Sequence, residues 1–356
     1  MVSIGVKELK VKKTLKIFVS AFVSFVILNA VCFFYYNVPV HYESKTNSTD
    51  YVWEKNKFYS RGTEGFSWGR TDANGFNNIS VDNAISPEIL IMGTSHTEAF
   101  NVAQNENYSY LLGECAGLNG SYMKVYNIGI SGHRIATVLN NFENALKEFK
   151  PEKYVVVEVT TTELTLEEIN QISEGNVKKN HSTANPLLVY LQKIPFVRCV
   201  YSQIDKMGIE IRWPTFKKEQ SQSNGESFYD DDIYKEYETV LNSLMERIGD
   251  VSKEYGVKLI IFHNSDLEID KNGTVVQAPI SKKSKMFEDA CYNNGIVFVD
   301  MYEAFARNYS ETYHLPHGFS NTAVGKGHLN KYGHKVIAKE LNELILSLEG
   351  QNKVAK

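Results

Sequence analysis

Hydrophobic positions along this chain fall into three regimes. Residues 17–36, IFVSAFVSFVILNAVCFFYY, form one uncharged apolar run interrupted only by Ser20, Ser24 and Asn29. A helix of about 20 such residues is long enough to cross a bilayer. Residues 37–85 are polar and Asn-rich with no sustained period, and read as a stalk and lead-in. From residue 86 onward, short apolar runs alternate with helical patterns. EILIMG (88–93), KVYNIG (124–129), KYVVVEV (153–159), VKLIIFH (257–263) and GIVFVD (295–300) read as strands. Between and after them come RIATVLNNFENALKEF, IYKEYETVLNSLMERIGDVSKEYG and the closing KYGHKVIAKELNELILSLEG, whose apolar residues recur at helical spacing. A further helix is expected from the end of the first strand to about Gly117.

Near-continuous apolar strands separated by helices imply a parallel sheet covered on both faces. The expected fold is a three-layer α/β/α domain over residues 86–349, with five parallel strands in flavodoxin-like order. Residues 165–228 interrupt the rhythm with PLLVYLQKIPFVRCVYSQI and the polar KKEQSQSNGES. They follow the third strand, on the side where strand carboxyl ends point, which is where such sheets bind ligands. A lid-like insertion is expected there. Residues 350–356 read as a frayed tail.

Charge sharpens the first regime. Lys7, Lys10, Lys12, Lys13 and Lys16 crowd one flank of the apolar run, and Tyr35 and Tyr36 close the other. Lysines stay cytoplasmic and aromatic residues favour the interface. Residues 1–16 are therefore expected in the cytoplasm, 17–36 as an uncleaved signal anchor, and the remainder outside the cell membrane. Beyond residue 36 there are 33 basic and 41 acidic residues, a net charge of −8. That balance does not suggest a nucleic-acid partner. Cys32 lies in the apolar run, leaving Cys115, Cys199 and Cys291 widely spaced, so one bridge is conceivable but no disulfide framework. Asn-x-Ser/Thr triplets begin at Asn47, Asn78, Asn107, Asn119, Asn180, Asn272 and Asn308, and matter only in a host that glycosylates.

The candidate chemistry starts at ILIMGTSHTEAF. Ser95-His96-Thr97-Glu98 fits a capping box, in which the serine hydroxyl and the glutamate reciprocally cap a helix start. The other strand ends raise a second reading. The second strand runs into NIGISGHR, the third into EVTTTEL, and a late histidine stands in GKGHLNKYGH before the closing helix. An α/β fold assembles a hydrolytic site this way, drawing nucleophile, oxyanion donors and general base from separate loops. His96 and His133 read as helix-start or loop residues. His263 ends a strand on the ligand side.

These blocks resemble those of the SGNH/GDSL hydrolases. GTSHTEAF resembles the first block, which implies Ser95 as nucleophile. NIGISG resembles the second and implies Gly132 as a backbone oxyanion donor beside the Ser95 N–H. GHLNKYGHKVIA resembles the last and implies His328 as general base. RTDANGFNN is similar to the Asn-x-x-Gly-Phe-Arg lead-in of exported members. The third block departs from Gly-x-Asn-Asp, and strand alignment puts Thr162 at the asparagine position as the expected third oxyanion donor, with Glu163 beside it. The aspartate expected three residues before the histidine is Gly325 here. The tautomer of His328 must then be held by a backbone carbonyl or a carboxylate from elsewhere, and a Ser–His dyad is expected.

The resemblance implies a cell-surface esterase or O-acyltransferase acting on an acylated glycan or small acyl ester, with no cofactor. Two other classes compete. His314, His317, His328 and His334 have the spacing H-x2-H-x10-H-x5-H and suggest a metal hydrolase, although no H-E-x-x-H is present. The two departures also fit a non-catalytic surface protein on the same scaffold.

Overall fold

The computed structural model describes residues 2–80, 82–115, 122–177, 190–191, 193–206, 231–276 and 279–354. Much of the expected lid, including the polar KKEQSQSNGES run, lies outside the described residues. A long helix α1 (Val2–Tyr35) leads directly into a short strand β1 (Tyr36–Asn37). Then come β2 (His41–Glu43), β3 (Tyr51–Trp53), β4 (Phe58–Arg61) and β5 (Ser67–Arg70). β2 and β3 pair antiparallel, and β1, β4 and β5 form a separate antiparallel sheet in the order β1-β4-β5. Residues 37–85, which show no period in sequence, thus carry folded strands, each too short for alternation to register.

The alternating region follows: β6 (Ile89–Met92), α2 (Ser95–Glu98), α3 (Tyr108–Cys115), β7 (Val125–Asn127), α4 (Ile135–Asn140), α5 (Phe142–Phe149) and β8 (Tyr154–Val159). Next are α6 (Leu166–Glu174), α7 (Pro195–Lys206), α8 (Asp231–Glu254) and β9 (Lys258–His263). A small hairpin, β10 (Glu268–Ile269) and β11 (Val275–Val276), precedes α9 (Lys282–Asn293), β12 (Val297–Asp300), α10 (Tyr302–Thr312) and α11 (Lys331–Val354). The main sheet has five parallel strands in the order β7-β6-β8-β9-β12, the expected flavodoxin-like order.

Both faces are covered, as the apolar runs require. Leu90, Met92, Val155, Val157, Leu259 and Ile261 pack on one side beneath α4, α5, α6, α8 and α9. Ile89, Ile91, Val156, Ile260 and Phe262 pack on the other beneath α3, α10 and α11. At about 25 cal/mol per Å² of apolar surface removed from water, these two layers are the main source of stability.

The helix expected up to Gly117 is broken. α2 is a single turn that ends where Ala99 adopts a left-handed conformation, φ 59°. The break lets the chain turn under β5, where the Ser67 hydroxyl donates to the Phe100 carbonyl. The C-terminal ends of β6, β7 and β8, and the loop before α11, all face the same edge, where the candidate residues lie.

Candidate active site

Ser95 is not a helix cap. The cap of α2 is Thr94, whose hydroxyl accepts from the His96 N–H at 3.4 Å. Ser95 takes the first helical position, and its Oγ lies 2.9 Å from Nε2 of His328. Nor does Glu98 bond back to a cap. Its buried carboxylate accepts from Trp53 Nε1 at 2.5 Å, from the Ser131 N–H at 3.1 Å and from the Ser131 hydroxyl. The capping-box pattern therefore holds two other functions.

A carboxylate lies on the far side of the His328 ring from Ser95. Nδ1 of His328 lies 2.6 Å from Oε2 of Glu64, and the His328 backbone N–H donates to Oε1 at 2.8 Å. With Nδ1–H turned to Glu64, Nε2 carries the lone pair that faces Ser95. Burial would raise the Glu64 pKa, but the hydrogen bonds from His328, with Arg61 nearby, outweigh it and hold the carboxyl at about 2. Glu64 sits in the β4–β5 connection, inside the region read as stalk. Asn321 clamps that loop, accepting from the Gly65 N–H and donating to the Gly62 and Gly65 carbonyls. Asn101 Nδ2 donates to the Glu64 carbonyl at 3.0 Å. Gly327 lets the carboxylate approach: its φ is +92°, and a Cβ there would lie 2.5 Å from Glu64 Oε1.

Gly132, the expected oxyanion donor, has φ +83°, which glycine alone adopts without strain. The peptide before it is pinned from two directions. Glu98 holds the Ser131 N–H and hydroxyl, and the Tyr51 hydroxyl donates to the Ser131 carbonyl. Because a trans peptide points its C=O and N–H in opposite directions, fixing the Ser131 carbonyl fixes the Gly132 N–H. Among the described hydrogen bonds, neither the Ser95 nor the Gly132 N–H has an acceptor.

Glu158, at the end of β8, braces the nucleophile turn. Its Oε2 accepts from the Thr94 N–H at 2.7 Å and from the Thr97 hydroxyl at 3.0 Å. Burial pushes its pKa up, and so too for Glu98, against the hydrogen bonds each receives. The lead-in turn joins the same network. Asp72 Oδ1 accepts from the N–H groups of Asn74, Gly75 and Phe76, and Asn77 Nδ2 donates to the Glu98 carbonyl at 2.7 Å.

Thr162, the expected third oxyanion donor, lies at the exit of β8. It is buried, and its hydroxyl donates to Ser284 Oγ at 2.8 Å, tying the exit of β8 to α9.

The four histidines of the metal reading have separate partners. His328 belongs to Ser95 and Glu64. His334 Nδ1 accepts from the Tyr108 N–H, His317 Nε2 meets Asn264 Oδ1, and the His314 ring stacks on Tyr332. No group of three or more His, Cys, Asp or Glu among the described residues could hold a metal. His96, read as a helix-start residue, also braces the base: its Nδ1 accepts from the Leu329 N–H at 3.2 Å, and its ring is 5.1 Å from that of His328. Burial, with His328 and His317 nearby, keeps His96 neutral by lowering its pKa. His263 Nδ1 meets Asp300 Oδ2 at 3.0 Å and Ser265 Oγ at 2.8 Å. All four cysteines are free.

No family model and no curated protein matches this sequence. Among solved structures, the chain is similar to a GDSL-like lipase from Bacteroides thetaiotaomicron, at 11% identity over 75% of this chain and 90% of that one, TM-score 0.32. It is also similar to the acetyl xylan esterase AlAXEase, at 14% identity over 72% of this chain and 99% of that one, TM-score 0.35. At these identities, activity is read from the site's own geometry.

Proposed function

We propose that this chain is an ester hydrolase or acyltransferase of SGNH type that works through a Ser95–His328–Glu64 triad. The observation that carries this reading is the unbroken hydrogen-bonded line from Ser95 Oγ through both ring nitrogens of His328 to Glu64. Ser95 Oγ attacks the ester carbonyl as His328 Nε2 takes its proton, and Glu64 stabilises the resulting imidazolium. The N–H groups of Ser95 and Gly132 receive the oxyanion. The imidazolium then returns its proton to the leaving alkoxide. Water or a sugar hydroxyl, deprotonated by His328, releases the acyl group; water makes the protein an esterase, and a sugar makes it a transferase.

The substrate we propose is an O-acetyl ester of a glycan outside the cytoplasm. Its export rests on α1: residues Lys12–Tyr35 are long and apolar enough to cross a membrane. Labelling by a fluorophosphonate tests the serine without knowledge of the substrate. Wild type should label, and Ser95→Ala should not; equal labelling of the two sinks the mechanism. Acetate release from an O-acetylated polysaccharide then tests the substrate class. Protease added to intact cells should digest the domain and spare α1, and a domain protected until the membrane is opened would refute its external placement.

A further inference from the structure

The outer end of α1 is built into the active-site scaffold. β1 follows α1 without a break and pairs with β4, Tyr36 opposite Arg61. Gly62 packs against Tyr35 so closely that a Cβ there would lie 2.7 Å from the Tyr35 carbonyl oxygen. Glu64 is two residues further on. On the same face of this small sheet, Phe58 stacks on Phe33 and the Ser60 hydroxyl donates to the Phe33 carbonyl. Directly opposed residues of an antiparallel pair share a face. Trp68 and Arg70, paired with Ser60 and Phe58, therefore face the side that α1 occupies. Trp68 is exposed and makes an edge contact with exposed Phe66.

α7 packs on the same end of α1. The Phe196 N–H donates to Asn29 Oδ1 at 3.1 Å, and Cys199 lies beside Cys32. Asn29 is six residues before Tyr35, about 9 Å along the helix at 1.5 Å per residue. With α1 in a bilayer, the start of α7 would then lie below the level of Tyr35, within the outer leaflet.

Between α1, α7 and the β4–β5 hairpin is a cavity of about 470 Å³. Lys57, Arg70, Lys193 and Arg198 line it, and among the described lining residues Glu54 is the one carboxylate. Lys57 meets that carboxylate at 3.2 Å. Arg198 Nη1 donates to Asn37 Oδ1 at 2.7 Å and to the Val38 carbonyl, which sets its guanidinium over the chain just beyond the anchor. Arg70 Nη1 is steadied by the Asn56 carbonyl at 3.0 Å. The cavity thus gathers positive charge beside Phe33, Asn37 and Val40, where α1 would leave the bilayer and lipid phosphates lie, with exposed Trp68 on the same sheet face as Arg70, as membrane-facing surfaces carry.

We propose that this cavity binds the phosphate group of a membrane lipid, so that substrates reaching Ser95 are acylated saccharides joined to lipid through phosphate. The inference rests on reading α1 as a membrane anchor. β4 links the two sites: Phe58 lines the cavity and Glu64 lies six residues on, at most about 20 Å of extended chain. A phosphate held there would leave a short saccharide within reach of the triad.

The test uses the full-length protein in dodecyl maltoside micelles and a fluorescent short-chain phosphatidic acid, with binding followed by polarisation. Wild type should bind the probe. The double variant Arg70→Gln, Lys193→Gln should bind it at least about tenfold more weakly, the loss expected for charge-assisted contacts. Fluorophosphonate labelling of Ser95 should be unchanged in the variant, which shows that the fold and triad survive. Equal binding by the variant would overturn the proposal, and so would displacement by neutral dioctanoylglycerol as effective as by unlabelled phosphatidic acid. Displacement by inorganic phosphate at equally low concentration would mark a free-anion site and overturn it too. Release of the protein from membranes by alkaline carbonate would instead refute the anchor, a failure separate from any loss of probe binding.

Discussion

Glu64 accepts two hydrogen bonds from one residue, from the ring and the backbone of His328. In Glu64→Gln, the amide offers one acceptor where the carboxylate offered two, and it cannot stabilise an imidazolium. Turnover should fall by about 10³- to 10⁴-fold, as when the triad acid is lost elsewhere, while KM changes little. Steady-state hydrolysis of an aryl acetate measures both. The same contact sets a pH dependence of stability. Glu64 has its pKa lowered from 4.5 to about 2 on folding, so its ionised form stabilises the fold above the unfolded value. That contribution is lost as pH falls through about 2. The gap in Tm between wild type and Glu64→Gln should therefore be widest above pH 5 and close toward pH 2; a constant gap would mean that Glu64 is not ionised against His328. Thr162 gives the contrasting case. Thr162→Val removes one hydroxyl bonded to Ser284, and should cost about 1 kcal/mol in denaturant unfolding with turnover within a few-fold of wild type. A loss of about 10²-fold or more would return Thr162 to the oxyanion hole.

The elements that hold the site are short, and their geometry comes from side chains reaching across the chain. The peptide before Gly132 is held by the Tyr51 hydroxyl on β3, which donates to the Ser131 carbonyl eighty residues on. Tyr51→Phe keeps the ring packing against Trp53 and His133 but releases the Ser131 carbonyl. Turnover should drop, with a loss of about 10³-fold as the ceiling for one oxyanion donor, while thermal stability falls by only a few degrees. An unchanged rate would mean that Glu98 alone aims the peptide. Asn321 plays the matching part for the β4–β5 loop, and Asn321→Ala removes three hydrogen bonds from it. Labelling of Ser95 should slow by about tenfold or more as Glu64 loses its fixed position. The main elements were legible because their signals are local. The five strands of the main sheet lie within two residues of the apolar runs that announce them, since burial on both faces demands apolar residues at every position. α2 was legible in its start and not its length, because the left-handed Ala99 that ends it carries no sequence mark. Ser95, Gly132 and His328 stood in short motifs at strand ends, where turn geometry restricts residue choice. Glu64 stood in none. It meets His328 across 264 residues from a two-stranded loop without period, and its only local trace is the glycine that follows it.

At the scale of the whole molecule, residues on both sides of the boundary expected at residue 86 pack into one buried cluster. Trp53, Tyr59 and Phe76 belong to the same buried cluster as Phe100 and the core face of β6. Tyr51 and Trp53 reach Ser131 and Glu98, and Glu64 meets His328. In the proposed mechanism the lead-in contributes core, oxyanion geometry and catalytic acid at once, and α1 joins it through β1. Two truncated chains should separate these contributions, one starting at residue 36 and one at residue 86. The longer chain keeps every side chain of the triad and its braces, so it should label with fluorophosphonate at a rate close to that of the full-length protein. The shorter chain loses Glu64, Tyr51 and Trp53, and leaves Glu98 buried with one donor fewer. It should label at least about 10³-fold more slowly, given the loss of the triad acid alone. It should also unfold at lower temperature, because removing large buried aromatic residues typically costs about 3–5 kcal/mol each. Full-length Glu64→Gln distinguishes the two effects, since it loses the acid and keeps the core. If the chain from residue 86 labels as fast as the longer one, the lead-in is not part of the active site, and the orientation of His328 must come from within residues 86–349.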